Sequence, residues 1–514
     1  MRETLWEEFA HSFETHAEHV ALRMGHDYLT FAEIDNWSCQ VARQLSDLGV
    51  NQGDRVALYF RNCFEFVVCD VAIARLGAVK VPMNYMLPRE SIAYMLERSN
   101  ARAVIYGADL VDDDFAGLAT SIRVVSGVGV RPSGQGVHRL ASRPTTRVTP
   151  FGEGAVNSGA PAAIYFTGGT TGRPKGVLHT QASTVALHYA QMLEAEITDS
   201  DRLLLMTPLA HAAGLFTQTA LIRGATVVLT DGFDAPGMVE LLRSQLISWT
   251  FLVPTMIYRL LDSMDASGET STFLRTVVYG AAPISPERLR QALRMFGPVF
   301  VQLYGQTECP NWGTKLAKSD HDPERPGLLA SCGRASIAAD VQVVNEEGRL
   351  VVRGEIGEIC LRSPYTLKEY LEDPENTDAK FLGSWIRTGD IGVMDEAGYL
   401  YLRDRKNDMI ITGGMNVYCR EVEDVLGQHP EVRFVAVIGI PHPDWGEAVH
   451  AVVVKGGGQL TDTELIAWSR SQLAAYAAPK SVEFVDSLPE TAFGKIDKKA
   501  LRAPYWHDQT RAIG

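Results

Sequence analysis

The chain has 514 residues, 46% hydrophobic and 21% charged, which supplies ample core material and excludes a disordered chain. At about 150 residues per domain, that length suits about three units, or one large domain with a small one. Acidic residues exceed basic ones by 62 to 48, so the net charge is −14, a poor balance for binding nucleic acid or an anionic membrane in general.

The N-terminus, Met1-Arg-Glu-Thr-Leu-Trp-Glu-Glu-Phe9, is too acidic for a secretory signal. The seven cysteines, Cys39, Cys63, Cys69, Cys309, Cys332, Cys360 and Cys419, show no CxxC spacing. That fits a reducing cytoplasm and argues against a zinc site or a disulfide framework. From Arg55 to about Val301, short β-rich runs alternate with longer amphipathic ones. Val56–Phe60, Ala103–Tyr106, Thr226–Leu229 and Thr250–Val253 read as buried strands, and Glu65–Leu76, Gly237–Gln245 and Pro286–Phe296 as helices. Ser285 suits the N-cap of the last helix, Pro286 its first turn and Gly297 its end. Gly127–Gly136 reads as an exposed loop. The uncharged stretch Leu203–Ile222 nears membrane-span length, but Pro208, His211 and Gly214 make it a buried strand, loop and helix, so no membrane span is expected. This alternation predicts an α/β fold with layers of largely parallel sheet.

Beyond Asp320 the texture becomes β-rich, with short strands expected at Val341–Val344, Leu350–Val352 and Glu358–Leu361. A charged run at Asp404–Asp408 precedes about a hundred residues holding Val435–Ile438, Val449–Val454 and a helix-like stretch, Thr461–Ala475. That is enough for a small α+β domain with its own core.

The strongest chemical signal is Tyr165-Phe-Thr-Gly-Gly-Thr-Thr-Gly-Arg-Pro-Lys-Gly-Val177. Its glycines let backbone N–H groups approach an anion, and its hydroxyls and Lys175 can hold phosphate oxygens. It is not a Walker A loop, because Arg173-Pro174 separates Gly172 from Lys175. Four further motifs follow in order: Tyr304-Gly-Gln-Thr-Glu308, Thr388-Gly-Asp390, Asp404-Arg405 with Gly413-Gly-Met-Asn-Val417 and Glu421-Val-Glu423, and Gly494-Lys-Ile-Asp-Lys498. Together the five resemble the acyl-adenylate-forming superfamily, in its acyl-CoA synthetase branch, over nearly the whole chain.

The resemblance implies an ATP-dependent acid–thiol ligase. A carboxylic acid attacks ATP to give acyl-AMP and pyrophosphate, and CoA then displaces AMP; the alternative acceptor is a carrier protein or a partner ligase. It implies a large N-terminal domain, residues 1–406, and a small mobile C-terminal domain, residues 407–514. By resemblance, Thr167, Gly168, Gly169, Thr170, Thr171, Gly172 and Lys175 embrace the β and γ phosphates, and Thr307 bonds the α phosphate. Glu308 holds Mg²⁺, Asp390 takes the ribose hydroxyls with Arg405 nearby, and Tyr304 flanks the adenine with Gly280, Ala281 and Ala282. Lys495 offsets charge developing during adenylation, and His211 orients the acid. Taken singly, each has a plainer reading: Glu308 an exposed carboxylate, Asp390 a turn residue, Lys495 part of a solvated basic face with Lys498 and Lys499, His211 a core histidine.

The sequence departs from the family pattern at three places. Asn407 stands at the hinge where Asp or Lys is usual, Leu303 where Gly usually precedes the tyrosine, and Cys419 where Pro usually follows Asn-Val-Tyr. The acyl pocket is expected from Ala210, Ala212, Ala213, Leu215, Phe216, Val253, Met256, Ala281, Ala282, Leu303 and Pro310. With no acidic partner for an amino group, an apolar acid (fatty, aryl or terpenoid) is the expected substrate.

Overall fold

The computed structural model describes residues 2–110, 122–126, 137–149, 151, 155–167, 173–267, 273–405, 408–491 and 495–506. The expected loop Gly127–Gly136, the phosphate-loop residues Gly168–Gly172, Asn407 and Gly494 lie outside the described residues. Among the described residues the strands form four sheets.

Two of these sheets are largely parallel. One is centred on Arg202–Leu205, Trp249–Leu252, Thr276–Gly280 and Phe300–Gln306, which pair in parallel in that order. The other is centred on Pro161–Phe166, Val79–Asn84, Arg55–Phe60 and Ala103–Gly107. Antiparallel strands flank them at three of their four edges, among them Cys309–Leu316 beside Phe300–Gln306 and Gly176–Thr180 beside Pro161–Phe166. Two helices are buried almost all round. Every residue of Phe66–Leu76 is buried in the helix Phe64–Leu76, and so is every residue of Ala213–Leu221 in Ala212–Arg223. The uncharged stretch read as strand, loop and helix is therefore Arg202–Leu205 followed by Ala212–Arg223, and no helix among the described residues is long and apolar enough to cross a membrane.

The third sheet is antiparallel throughout: Asp340–Val344, Ile356–Arg362, Trp385–Met394, Phe381–Leu382 and Leu400–Arg405. The fourth is made only of strands between Ile410 and Phe484, over a separate apolar core that includes Ile410, Val422, Val437, Ala451 and Leu465.

Three local expectations need correction. Leu350–Val352 is not a strand: Leu350 makes one isolated bridge to Val344, and Leu350 and Val352 are each 71% exposed, too far outside the core to extend a ladder. The helix expected over Thr461–Ala475 spans Asp462–Arg470; Thr461 caps it by accepting from the Glu464 N–H, and the chain turns at Ser471. Ser285 occupies the N-cap of Pro286–Phe296, but its side chain makes no capping bond.

Candidate active site

Thr167, Gly280 and Thr307 sit where parallel strands end, the edge at which open α/β sheets present their loops. The strand Pro161–Phe166 runs into Thr167, whose N–H donates to the Lys175 carbonyl at 2.9 Å. The Lys175 N–H returns to the Thr167 Oγ1 at 3.2 Å, closing the base of the glycine-threonine loop. The Lys175 ammonium donates to Asn376 Oδ1 and lies 5.2 Å from the centre of the Tyr370 ring.

Thr307 and Glu308 form the turn between Phe300–Gln306 and Cys309–Leu316. His179, on the outgoing strand of the phosphate hairpin, is 2.9 Å through Nε2 from the Thr307 carbonyl, which ties the two motifs together. Burial pushes the His179 pKa down to about 4, so the ring is neutral at pH 7 and acts as an N–H donor to that carbonyl. Glu308 is only 8% exposed. Its Oε1 accepts from the Tyr370 hydroxyl and lies 3.5 Å from Lys380 Nζ. Burial alone would raise the Glu308 pKa, but the Lys380 charge and the Tyr370 hydroxyl outweigh it and hold the carboxyl below its usual range. The plainer reading of Glu308 as an exposed carboxylate is thereby corrected.

Asp390 lies in Trp385–Met394, directly paired with Arg405 on the neighbouring strand. Its Oδ2 accepts from the Tyr304 hydroxyl at 2.7 Å and the Gln306 amide at 2.9 Å, while Arg405 Nε is 3.5 Å from Oδ1. Burial and this neighbouring carboxylate raise the Tyr304 pKa, so the phenol stays protonated and donates. Beside Tyr304, Leu303 pairs with Gly280 across parallel strands. A Cβ on Gly280 would lie 2.5 Å from the Leu303 carbonyl and 2.6 Å from its side chain, so glycine there makes room for leucine. Ala281, next in the chain, is exposed and held at φ +66°, a strained conformation for a residue with a Cβ.

Lys495 arrives from the far end of the chain. Its backbone is fixed by a short turn, the Thr491 N–H donating to the Lys495 carbonyl at 2.7 Å. Its pKa falls to about 8, first through burial and then through the Arg405 charge, with Asp390 opposing the fall. The side chain therefore shares the surroundings of the Asp390–Arg405 pair. His211, half-buried at the start of Ala212–Arg223, is pushed down to about 4 by burial and next by the Lys495 charge. Lys495, Asp390, Arg405 and His211 thus meet in one electrostatic neighbourhood. Lys498, by contrast, is paired with Glu423 at 2.7 Å, so it belongs to no solvated basic face.

Contacts along the helix Pro254–Ser267 hold the segment bearing Lys495. Arg259 pairs with Glu490 at 2.9 Å, Asp262 with Arg433 at 3.0 Å, and the Tyr258 and Phe434 rings lie 5.8 Å apart.

The acyl side divides in two. Phe216 and Ala213 are fully buried, Phe216 packing on Trp249 and Phe251 at 4.9 and 5.2 Å. His211, Ala212 and Ala282 are half-buried and Ala281 is exposed. Trp312 is fully buried and donates through Nε1 to Gln191.

Sequence reading missed Gln306, His179, Tyr370, Asn376 and Lys380. Gln306 lies inside a quoted motif and was legible there; the others carry no local pattern and reach the site only through tertiary contacts. Among the described residues no group of three or more His, Cys, Asp or Glu converges. Glu308 therefore offers one carboxylate, which suits a Mg²⁺ ion that takes its other oxygens from nucleotide phosphates and water.

Comparison with known proteins agrees with this geometry. The AMP-binding enzyme family matches residues 9–371, and the AMP-binding enzyme C-terminal domain matches residues 421–495. The chain is 35% identical over 481 residues to the long-chain-fatty-acid–CoA ligase FadD13 of Mycobacterium tuberculosis, covering 93% of each protein. It is 43% identical over 359 residues to the medium/long-chain-fatty-acid–CoA ligase FadD8 of the same organism, covering 68% of this chain and 62% of that one. The solved amide bond synthetase McbA from Marinactinospora thermotolerans superposes with a TM-score of 0.88 at 30% identity, covering 98% of this chain and 100% of that one. The chain belongs to the AMP-binding enzyme family, in the acyl-CoA synthetase branch of the acyl-adenylate-forming superfamily.

Proposed function

We propose how this AMP-forming acyl-CoA synthetase divides its two half-reactions among its residues. In the first, a carboxylate oxygen attacks the α phosphorus of ATP and pyrophosphate leaves. In the second, the CoA thiol attacks the acyl carbonyl and AMP leaves. Attack of one anion on another needs cations and aimed donors in place beforehand. Thr167, Lys175 and the loop Gly168–Gly172 grip the leaving phosphates, and Thr307 bonds the α phosphate. Asp390 accepts from the ribose hydroxyls, braced by Tyr304, Gln306 and Arg405. Gly280, Ala281, Ala282 and Tyr304 flank the adenine. Glu308 would hold Mg²⁺, which supplies charge neutralisation on the phosphates when bound. Lys495, charged below about pH 8, stabilises the charge building at the reacting oxygens. His211 stays neutral and orients the acid, with no proton to give at pH 7.

The observation that carries this reading is the meeting of Lys495 with Asp390, Arg405 and His211, residues far from it in the chain. We place the domain boundary at 406/407 and assign the second half-reaction to a rotation there, which takes Lys495 out and brings the Gly413-Gly414 loop in. The substrate is an apolar carboxylic acid: His211, Ala212, Ala281 and Ala282 offer shape and no counter-charge for an amino group. The seven free cysteines suit a cytoplasmic setting. A panel of fatty, aryl and terpenoid acids, scored for pyrophosphate release and then for acyl-CoA, tests the assignment. Acyl-AMP that accumulates and never reaches CoA would favour a carrier-protein acceptor instead.

A further inference from the structure

The segment Glu369–Lys380 belongs to no motif, yet it touches both charged ends of the phosphate site. Its first residues, Glu369–Tyr370, form a strand against the outgoing arm of the phosphate hairpin, Tyr370 opposite Val177. Asp373 then caps the helix Pro374–Lys380, accepting from the Asn376 N–H at 3.2 Å and from the Asn376 side-chain amide at 3.0 and 2.9 Å. This fixes Asn376, whose Oδ1 accepts from Lys175. At the other end of the helix, Lys380 Nζ donates to Gln306 Oε1 at 3.2 Å and stands 3.5 Å from Glu308 Oε1. One seven-residue helix therefore sets both the phosphate-gripping lysine and the lone carboxylate of the site.

The Lys380 and Glu308 side chains are 12% and 11% exposed. A carboxylate so enclosed is costly without a partner charge. Lys380 supplies that charge, and it does so loosely: its closer bond is to Gln306, and the ion pair at 3.5 Å is longer than a direct charged hydrogen bond. Lys380 and Tyr370 both approach Oε1, so neither contact occupies Oε2.

We propose that Lys380 is the resident counter-cation of Glu308, a positioning residue that holds the carboxylate through Oε1 until a nucleotide-borne divalent cation displaces it. This rests on the reading of Glu308 as the magnesium carboxylate. Two cations then compete for one carboxylate, so removal of the ammonium strengthens metal binding. A lysine serving only to fill space leaves metal binding unchanged.

The test titrates Mn²⁺ against the full-length protein with α,β-methylene-ATP and no carboxylic acid, reading free Mn²⁺ by electron paramagnetic resonance. K380M is expected to lower the half-saturating Mn²⁺ concentration by about threefold to tenfold. K380R, which keeps the charge, is expected to stay near wild type. E308Q is expected to weaken Mn²⁺ binding, and in the E308Q background K380M is expected to shift nothing further. K380Q, which keeps a hydrogen bond to Gln306, carries the same test if K380M fails to fold. An unchanged or raised midpoint in K380M and K380Q, with E308Q still weakening binding, overturns the role of Lys380 alone. Binding unaffected by E308Q overturns the metal reading of Glu308 and the inference with it.

Discussion

At the nucleotide end, Tyr304, Asp390, Gln306, Lys380, Glu308, Tyr370, Lys175 and Asn376 form one continuous chain of hydrogen bonds, ion pairs and ring contacts. At the proposed acyl end stand a neutral His211 and the small residues Ala212, Ala281 and Ala282, and Leu303 fills the space left by Gly280. A connected polar set cannot adjust one member without disturbing the next, so it suits a substrate with fixed charges. A wall of small apolar groups selects by volume and is easily retuned. Substitutions at the two ends should therefore differ in kind as well as in size.

The largest effect is expected from Lys495→Ala. Pyrophosphate release should fall by about 10²- to 10³-fold, the scale of losing one aimed charge at a transition state. The second half-reaction, started from synthetic acyl-AMP and CoA, should remain, as should the thermal midpoint. Next comes Asp390→Asn, which weakens the Arg405 pair and the ribose acceptor. Its kcat/KM for ATP should drop by about tenfold to a hundredfold, consistent with about 1.5–3 kcal/mol for bonds to a charged group. Leu303→Ala should instead move the optimum towards bulkier or longer acids with ATP parameters nearly constant, at a stability cost of about 2–3 kcal/mol for emptying a buried site. The smallest effect is expected from His211→Phe, less than about tenfold on adenylation, since a ring already neutral loses no acid–base function.

The pH profile separates the ends in the same way. Lys495 must carry its proton to act, so adenylation should fall as pH rises through about 8, and Lys495→Arg should remove that limb while lowering the maximum. No limb should appear near 6.5, because His211 titrates near 4. A limb near 6.5 abolished by His211→Phe would show that the histidine transfers a proton after all.

Much of this was legible in the residues themselves. The alternating apolar runs gave strands such as Arg55–Phe60 and Thr226–Leu229, because strands buried on both faces leave nothing polar to disguise them. The motifs marked Lys175, Thr307, Glu308, Asp390 and Lys495 through the resemblance they carry; Thr307 and Glu308 lie in a turn and Asp390 on the strand Trp385–Met394. What stayed hidden depends on packing between distant segments. Lys380 reads as one more solvated lysine, and only the helix capped by Asp373 carries it to Glu308. Leu350–Val352 has a strand's composition without a strand's ladder. Phe216 lies in the same stretch as His211, but the helical turn sends it to Trp249 in the core.

The central claim is that the arrangement placing Lys495 beside Asp390 is the adenylating one and must be undone for transfer to the thiol. The Asp262–Arg433 contact, at 3.0 Å, offers a place to lock it. With cysteines at these two positions joined by a short bis-maleimide, one turnover of pyrophosphate release should persist, while acyl-CoA formation from added acyl-AMP and CoA should stop. Acyl-CoA formed at the uncross-linked rate by the locked protein would contradict the account.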